Sequence, residues 1–354
     1  MTDTHLRFDT PLPRWFAGTP AAAAASLLYG TAVHLRNRHY DHYPESAGKV
    51  SLPVISIGGI RAGGTGKTPA VMLLATILQQ QGYEVGLLSR GYKRTDREPV
   101  IVAPGETVEW ERTGDEPAML RAACPGIWLG IGQDRTPNAR FLCERMGNRA
   151  VLLLDDGFQH RKLHRDLDIL CLHESLFIDR LLPQGYLREP VTALGRAQVF
   201  FLTGNRDREK QLLYVDEKLA HRFPEVPRFL LFNDVVAWVN ARTGEETQKV
   251  PFSAPVAISG IARPERFFDL LARDGVQPCR KMVFTDHYHY TDYDIAALRK
   301  LYSQGLITTE KDAVRLSSLD DIPEDSLWYL KVRLQFSENS SFNRFNHYIN
   351  AVLT

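Results

Sequence analysis

Between positions 54 and 80 the chain reads VISIGGIRAGGTGKTPAVMLLATILQQ, an apolar run, a glycine-rich loop, Gly-Lys-Thr and a stretch with helical spacing. Few folds accommodate that order. A buried strand that feeds a phosphate-binding loop and then a helix belongs in a mostly parallel sheet wrapped by helices. The pattern G-x-x-x-x-G-K-[ST] is nearly met, but Arg61 stands where its first glycine is usual. The expected nucleotide cradle is Arg61, Ala62, Gly63, Gly64, Thr65, Gly66, Lys67 and Thr68, with Gly63 or Gly64 supplying the tight turn. Backbone N–H groups and the helix N-terminus would face phosphate oxygens, Lys67 would bridge the β- and γ-phosphates, and the Thr68 hydroxyl would ligate Mg2+.

A second strand, VLLLDDGFQH, ends in Asp155 and Asp156. A carboxylate at such a strand end holds the metal or its water. Side chains alternate along a strand, so Asp155 is taken as the Mg2+ partner and Asp156 as a capping or assisting residue. Two aspartates after a strand are also ordinary turn formers.

Short apolar runs alternate with amphipathic stretches past Pro44, which makes the fold α/β: a P-loop NTPase-like, mostly parallel sheet flanked by helices. The rhythm weakens between Pro224 and Pro255, where a hairpin-like VVAWVNARTGEETQKV suggests a linker. The expected organisation is an N-terminal helical segment over 1–40, a nucleotide-binding domain over 41–222, and a smaller α/β domain over 223–354 that closes the cleft. A formal charge of +1, with 24% charged and 44% hydrophobic residues, fits a folded soluble protein and lacks the basic excess of a general nucleic-acid binder, so no nucleic-acid partner is expected. Cys124, Cys143, Cys171 and Cys279 are dispersed and read as reduced core thiols.

The segment WFAGTPAAAAASLLYGTAVHL is too rich in alanine, and too interrupted by Gly18, Pro20 and Gly30, to be a strong membrane span. Two readings stand: an interfacial helix with Trp15, Phe16, Leu27, Leu28 and Tyr29 toward lipid and Arg36, Arg38 and His39 toward headgroups, or a helix packed on the body.

The runs GGTGKTP, LLSRGYKR, GDEP, LLLDDGFQHRKLHRDLDI, LLPQGYLREP, FTDHYHYT and ITTEKDAVRL stand in an order and spacing that resemble the tetraacyldisaccharide 4'-kinase family, from Pro53 to Leu316. That resemblance implies ATP-dependent phosphorylation of the 4'-hydroxyl of a tetraacylated glucosamine disaccharide 1-phosphate. It places the protein at the cytoplasmic face of the inner membrane of a Gram-negative bacterium. It also favours the interfacial reading of the N-terminal helix, so the expected partners are the lipid substrate and a membrane surface, and the expected cofactors ATP and Mg2+.

Against that implied reaction, Arg90, Lys93 and Arg94, and Gln159, His160, Arg161, Lys162 and Arg165, are candidates for the acceptor's 1-phosphate, since arginine pairs with phosphate in a fork. Glu310, Lys311 and Asp312 lie near the base or the cleft, or simply open a helix capped by Thr309. A sugar hydroxyl needs a base. The resemblance pairs an aspartate of GDEP with a histidine of TDHYH, mapped onto Asp115 and His287 with Glu116 and His289 beside them, and leaves open which removes the proton. The rival classes are a P-loop switch GTPase or metal-chaperone NTPase, and a membrane adaptor with a dead loop.

Overall fold

The computed structural model describes residues 18–91, 94, 98–261, 263–286, 288–317 and 322–353. Its elements are α1 (Pro20–His42), β1 (Val54–Gly58), α2 (Lys67–Gln80), β2 (Glu84–Ser89), β3 (Val100–Val102), α3 (Trp110–Thr113), α4 (Asp115–Ala123), β4 (Trp128–Ile131), α5 (Thr136–Arg145), β5 (Ala150–Asp155), β6 (Leu167–Leu172) and β7 (Val199–Gly204). Then come α6 (Glu209–Arg222), β8 (Arg228–Asn240), β9 (Glu246–Thr247), β10 (Val256–Ser259), α7 (Pro264–Arg273), β11 (Arg280–Val283), α8 (Asp292–Arg299), β12 (Leu306–Thr309), α9 (Glu310–Leu316), β13 (Leu327–Phe336) and α10 (Asn339–Leu353).

All thirteen strands among the described residues join one sheet, in the order β11-β10-β12-β13-β8-β7-β6-β1-β5-β2-β4-β3, with β9 added on β8. The first half is parallel except for the short edge strand β3, and its central strands are buried on both faces, hence their unbroken apolar runs. β1 lies between β5 and β6, with Ile57 opposite Asp155. The loop after β1 and the aspartates after β5 therefore emerge side by side at the carboxyl edge of the sheet, where open α/β sheets bind ligands.

The stretch expected to be a linker is the longest strand. β8 pairs parallel with β7 through Arg228–Phe232 and antiparallel with β13 through Leu231–Asn240, so a continuous sheet joins the two halves. The expected hairpin is present as β8 and β9, with Trp238 opposite Thr247. The final helix also departs from its sequence neighbours. Phe345 and Ile349 of α10 enter the core beside Ile55 and Ala70 of the first half. There Phe345 packs 5.1 Å from Phe201 and 5.3 Å from Phe229, ring centre to ring centre. Truncating so buried a ring costs about 3–5 kcal/mol, so α10 is structurally part of the nucleotide-binding half.

No described helix is long and apolar enough to cross a membrane. α1 buries Ala22, Ser26 and Val33 along one stripe and leaves Leu27, Leu28 and Leu35 outward at 73%, 72% and 61% exposure. It is thus both docked on the body and apolar on its free face; Trp15 and Phe16 lie outside the described residues. The thiols are free, and Cys279 is exposed rather than in the core.

Candidate active site

The absent glycine has a local explanation. Arg61 bridges Leu187 in extended antiparallel fashion, with Ala62 N–H donating to Tyr186 and Arg188 N–H to Ile60, so the first loop position needs no left-handed backbone. Its guanidinium is buried against Asp179 at 2.8 Å and over the Tyr186 ring at 4.4 Å, and its Nη1 donates to the Gly63 carbonyl of the loop at 3.4 Å. Arg61 braces the loop. Positive φ is confined to Gly63, Gly64 and Gly66, at 68°, 54° and 76°, the conformation that aims successive N–H groups at an anion. Gly66 is also the N-cap of α2 and has no side-chain cap, which leaves the first-turn N–H groups to a ligand. Thr65 is buried and its carbonyl accepts from the Thr203 hydroxyl at 2.7 Å, tying the loop to the end of β7.

Strand alternation does not separate the two aspartates as expected, because the strand stops at Asp155. Asp156 has φ 48°, the one positive value at a non-glycine among the described residues, and its side chain swings to the loop. Lys67 Nζ stands 3.5 Å from its Oδ1 and Arg188 Nη1 2.6 Å from its Oδ2. Burial would raise the Asp156 carboxyl, but the Lys67 and Arg188 charges outweigh it and hold it well below the usual range. Asp155 behaves oppositely: burial, then Glu116 and Asp156, push its pKa up. This surplus of negative charge, with Asp156 Oδ1 buried and lacking a hydrogen bond, suits a divalent cation. No group of three or more His, Cys, Asp or Glu among the described residues forms a cage. Mg2+ needs none, since one or two carboxylates, substrate phosphates and waters complete its shell. Asp155, Asp156 and the half-buried Thr68 fit that donor set.

Asp115 opens α4 behind Gly114 and is not the cap, so its buried carboxylate is left for other work. The second half meets it there. Lys311 Nζ lies 3.9 Å from Asp115 Oδ2, 3.7 Å from Glu116 Oε1 and 3.5 Å from Asp286 Oδ1, and Arg315 Nε lies 3.8 Å from Asp115 Oδ2. His289 is exposed and stacks on Trp110 of α3 at 5.1 Å. His287 lies outside the described residues. Thr309 does cap α9, accepting from Asp312 N–H at 3.1 Å, so the ITTEKD letters serve both as a helix start and as a cleft contact.

The basic clusters are brought to the site unequally. Arg90, at the end of β2, is exposed; Arg94 reaches the Ile131 carbonyl at 3.5 Å; Lys93 is outside the described residues. Arg161 is engaged by α1, with Asp41 at 2.8 Å and the Asn37 carbonyl at 2.9 Å. Arg165 pairs with Asp168 at 2.9 Å and Lys162 with Asp134 at 3.4 Å. His160 is half-buried and depressed to about 4, by desolvation first and then by Arg135, so it is neutral near pH 7 and offers a phosphate no charge. Gln159 Nε2 donates to the Gly59 carbonyl and to Glu189, tying the carboxylate loop to the phosphate loop.

Sequence reasoning missed several residues here. Arg188 and Glu189 sat inside the quoted LREP, yet only the fold shows Arg188 on Asp156 and Glu189 wholly buried among Arg196, Gln159 and Asn37. Arg266 of α7 crosses from the second half to the Gly64 carbonyl at 2.8 Å, and both it and Arg263 contact His173; nothing local marks that pair.

A family model described as tetraacyldisaccharide-1-P 4'-kinase matches residues 20–350. The tetraacyldisaccharide 4'-kinase of Aquifex aeolicus is 34% identical over 304 residues, 84% of this chain and 90% of that protein. The enzyme of the same name from Geobacter metallireducens is 37% identical over 308 residues, 83% of this chain and 87% of its own. Among solved structures, the crystal structure of the Aquifex aeolicus protein in complex with ATP superposes with a TM-score of 0.77 at 32% identity, covering 94% of this chain and 99% of that one. With the loop, the paired aspartates and the cleft contacts in place, these likenesses settle the lineage: the chain belongs to the tetraacyldisaccharide-1-P 4'-kinase family.

Proposed function

We propose that this kinase transfers the γ-phosphate of ATP to the 4'-hydroxyl of a tetraacyldisaccharide 1-phosphate. The observation that carries the reading is the convergence, at one carboxyl edge, of the Gly63–Thr68 cradle, Lys67 on Asp156, and an acidic Asp115–Glu116 pair facing the second half. Lys67 neutralises charge on the transferred group, and the uncapped N-terminus of α2 holds the phosphates. Thr68, Asp155 and Asp156 would hold Mg2+, which would supply further charge neutralisation. Asp115 would accept the hydroxyl proton together with a histidine of the TDHYH run, His287 or His289. Arg188 holds the other oxygen of Asp156, which fixes that carboxylate beside Lys67.

The protein works at the cytoplasmic face of the inner membrane as a peripheral enzyme. Leu27, Leu28 and Leu35 on the free face of α1 support this, since a lipid acceptor must be met at a surface. α1 is fixed to the body near the site by Tyr29 OH on the Arg188 carbonyl at 2.9 Å and Ser26 Oγ on the Leu181 carbonyl at 3.1 Å. The test is transfer of labelled phosphate from ATP to purified disaccharide lipid in mixed micelles. ATP turnover without a labelled lipid product, or a strict preference for GTP, would return the protein to the regulatory NTPases.

A further inference from the structure

One ammonium bridges the parts of the cleft that must meet for transfer. Lys311, the second residue of α9, places Nζ between Asp286 of the second half and Asp115 and Glu116 of the first, at 3.5, 3.9 and 3.7 Å. Its side chain is 16% exposed, so water screens these attractions less than it would a surface pair. The Asp286 contact is a long hydrogen bond and the other two are ion pairs, so the charge is shared, as suits a compact ammonium better than a planar fork. Burial would lower the Lys311 pKa, but the Glu116, Asp115 and Asp286 carboxylates raise it, so it is charged. Its direction is set from behind. Thr309 caps the helix start, and Arg315, one turn on, is fully buried, bonded to Asp312, the Gly260 carbonyl at 3.2 Å and the Tyr288 carbonyl at 3.1 Å.

We propose that Lys311 is a positioning residue, an ionic latch that draws the start of α4 and the loop carrying Asp286 and His289 into register across the cleft. This rests on the reading of Asp115 as a group that touches the acceptor. Lys311 itself does not meet the reacting atoms; it sets the distance between groups that do. Its removal therefore acts on the assembled complex, and only while Asp115 is present to be positioned.

The experiment uses the full chain as K311M, K311R, D115N and K311M/D115N, assayed for kcat and for KM of ATP and lipid, with thermal unfolding recorded for each. K311M is expected to lower kcat about tenfold or more while KM for ATP moves less than about threefold, and K311R to recover most of the loss. In the D115N background K311M should cost nothing further, as groups acting as a unit do. A K311M enzyme at wild-type kcat, a K311R enzyme no better than K311M, or losses that multiply with D115N would each overturn the latch. D115N at the wild-type rate would instead overturn the assignment of Asp115, and the latch with it. Should K311M unfold, K311R keeps the charge, and the same comparison with D115N decides.

Discussion

Glu189→Ala removes the most completely enclosed carboxylate that links α1 to the phosphate loop. Its side chain is 0% exposed and accepts from Arg196 Nη1 at 2.8 Å and Nη2 at 3.2 Å, from Asn37 Nδ2 at 2.6 Å and from Gln159 Nε2 at 2.9 Å. Without it the Arg196 guanidinium, seated over the Phe158 ring at 4.2 Å, has lost its counter-charge, and two amides lose an acceptor. Breaking a buried pair from one side costs about 3–5 kcal/mol. Unfolding entropy of about 2.1 cal/mol/K per residue gives roughly 0.7 kcal/mol/K for a chain of this length, so Tm should fall by about 4–7 °C. Circular dichroism melts read this directly. Replacing both Glu189 and Arg196 by leucine should recover much of the loss, because the half-exposed Arg36 is then the one cation among the described residues deprived of Glu189, and water can reach it. The pH dependence has a definite sign. Burial would raise the Glu189 carboxyl, but the Arg196 bonds, with Gln159 and Asn37, lower it below its ordinary 4.5, so its stabilisation is present above that value and lost as pH falls through the lower folded value. The alanine variant should lack that loss. A Tm within about 1 °C of wild type, or a double variant as unstable as the sum of its singles, refutes the argument.

Lys67→Ala and Thr68→Ala should each lower kcat by about 100-fold or more with the fold intact by circular dichroism, since both act on charge at the transferred phosphate; near-normal turnover would make the loop decorative. His160, depressed from 6.5 to about 4 by burial and Arg135, stabilises the fold fully above pH 6.5, and that contribution, at most about 3 kcal/mol, is lost as pH falls toward 4. His160→Gln should flatten the slope of urea midpoint against pH in that window, and an unchanged slope would clear His160 of the effect. Deleting residues 2–30 should move much of the protein from the membrane to the soluble fraction on sedimentation; unchanged partition would place membrane binding elsewhere.

Where one local pattern carries a feature, the sequence announces it. The apolar run of β1, the glycines at 63, 64 and 66, and the helical spacing of α2 lie within 27 residues, and each is imposed by neighbours in the chain. β3 escapes because three residues cannot display a period. β8 misleads for a different reason: Asn233 and Asp234 interrupt its apolar pattern and look like a break. In the fold Asn233 donates to Asn205 and Asp234 pairs with Arg206 at 2.7 Å, so the turn after β7 satisfies the polar atoms and the strand runs on. Charge partnerships are the least legible, since Arg61 finds Asp179 118 positions away and Gln159 finds Gly59 100 positions away. A cluster such as Arg161-Lys162-Arg165 shows that charge is present, whereas the partners that consume it, Asp41, Asp134 and Asp168, are chosen by topology. This is why the shape of the loop is legible in the sequence and the pairing of side-chain cations is not. A nucleotide phosphate is held by backbone N–H groups whose geometry glycines encode locally. A second phosphate held by side chains must use cations the fold leaves within its reach, and among the described candidates Arg90, just past β2, and Lys162, its side chain 64% exposed beside Asp134, are the ones facing solvent.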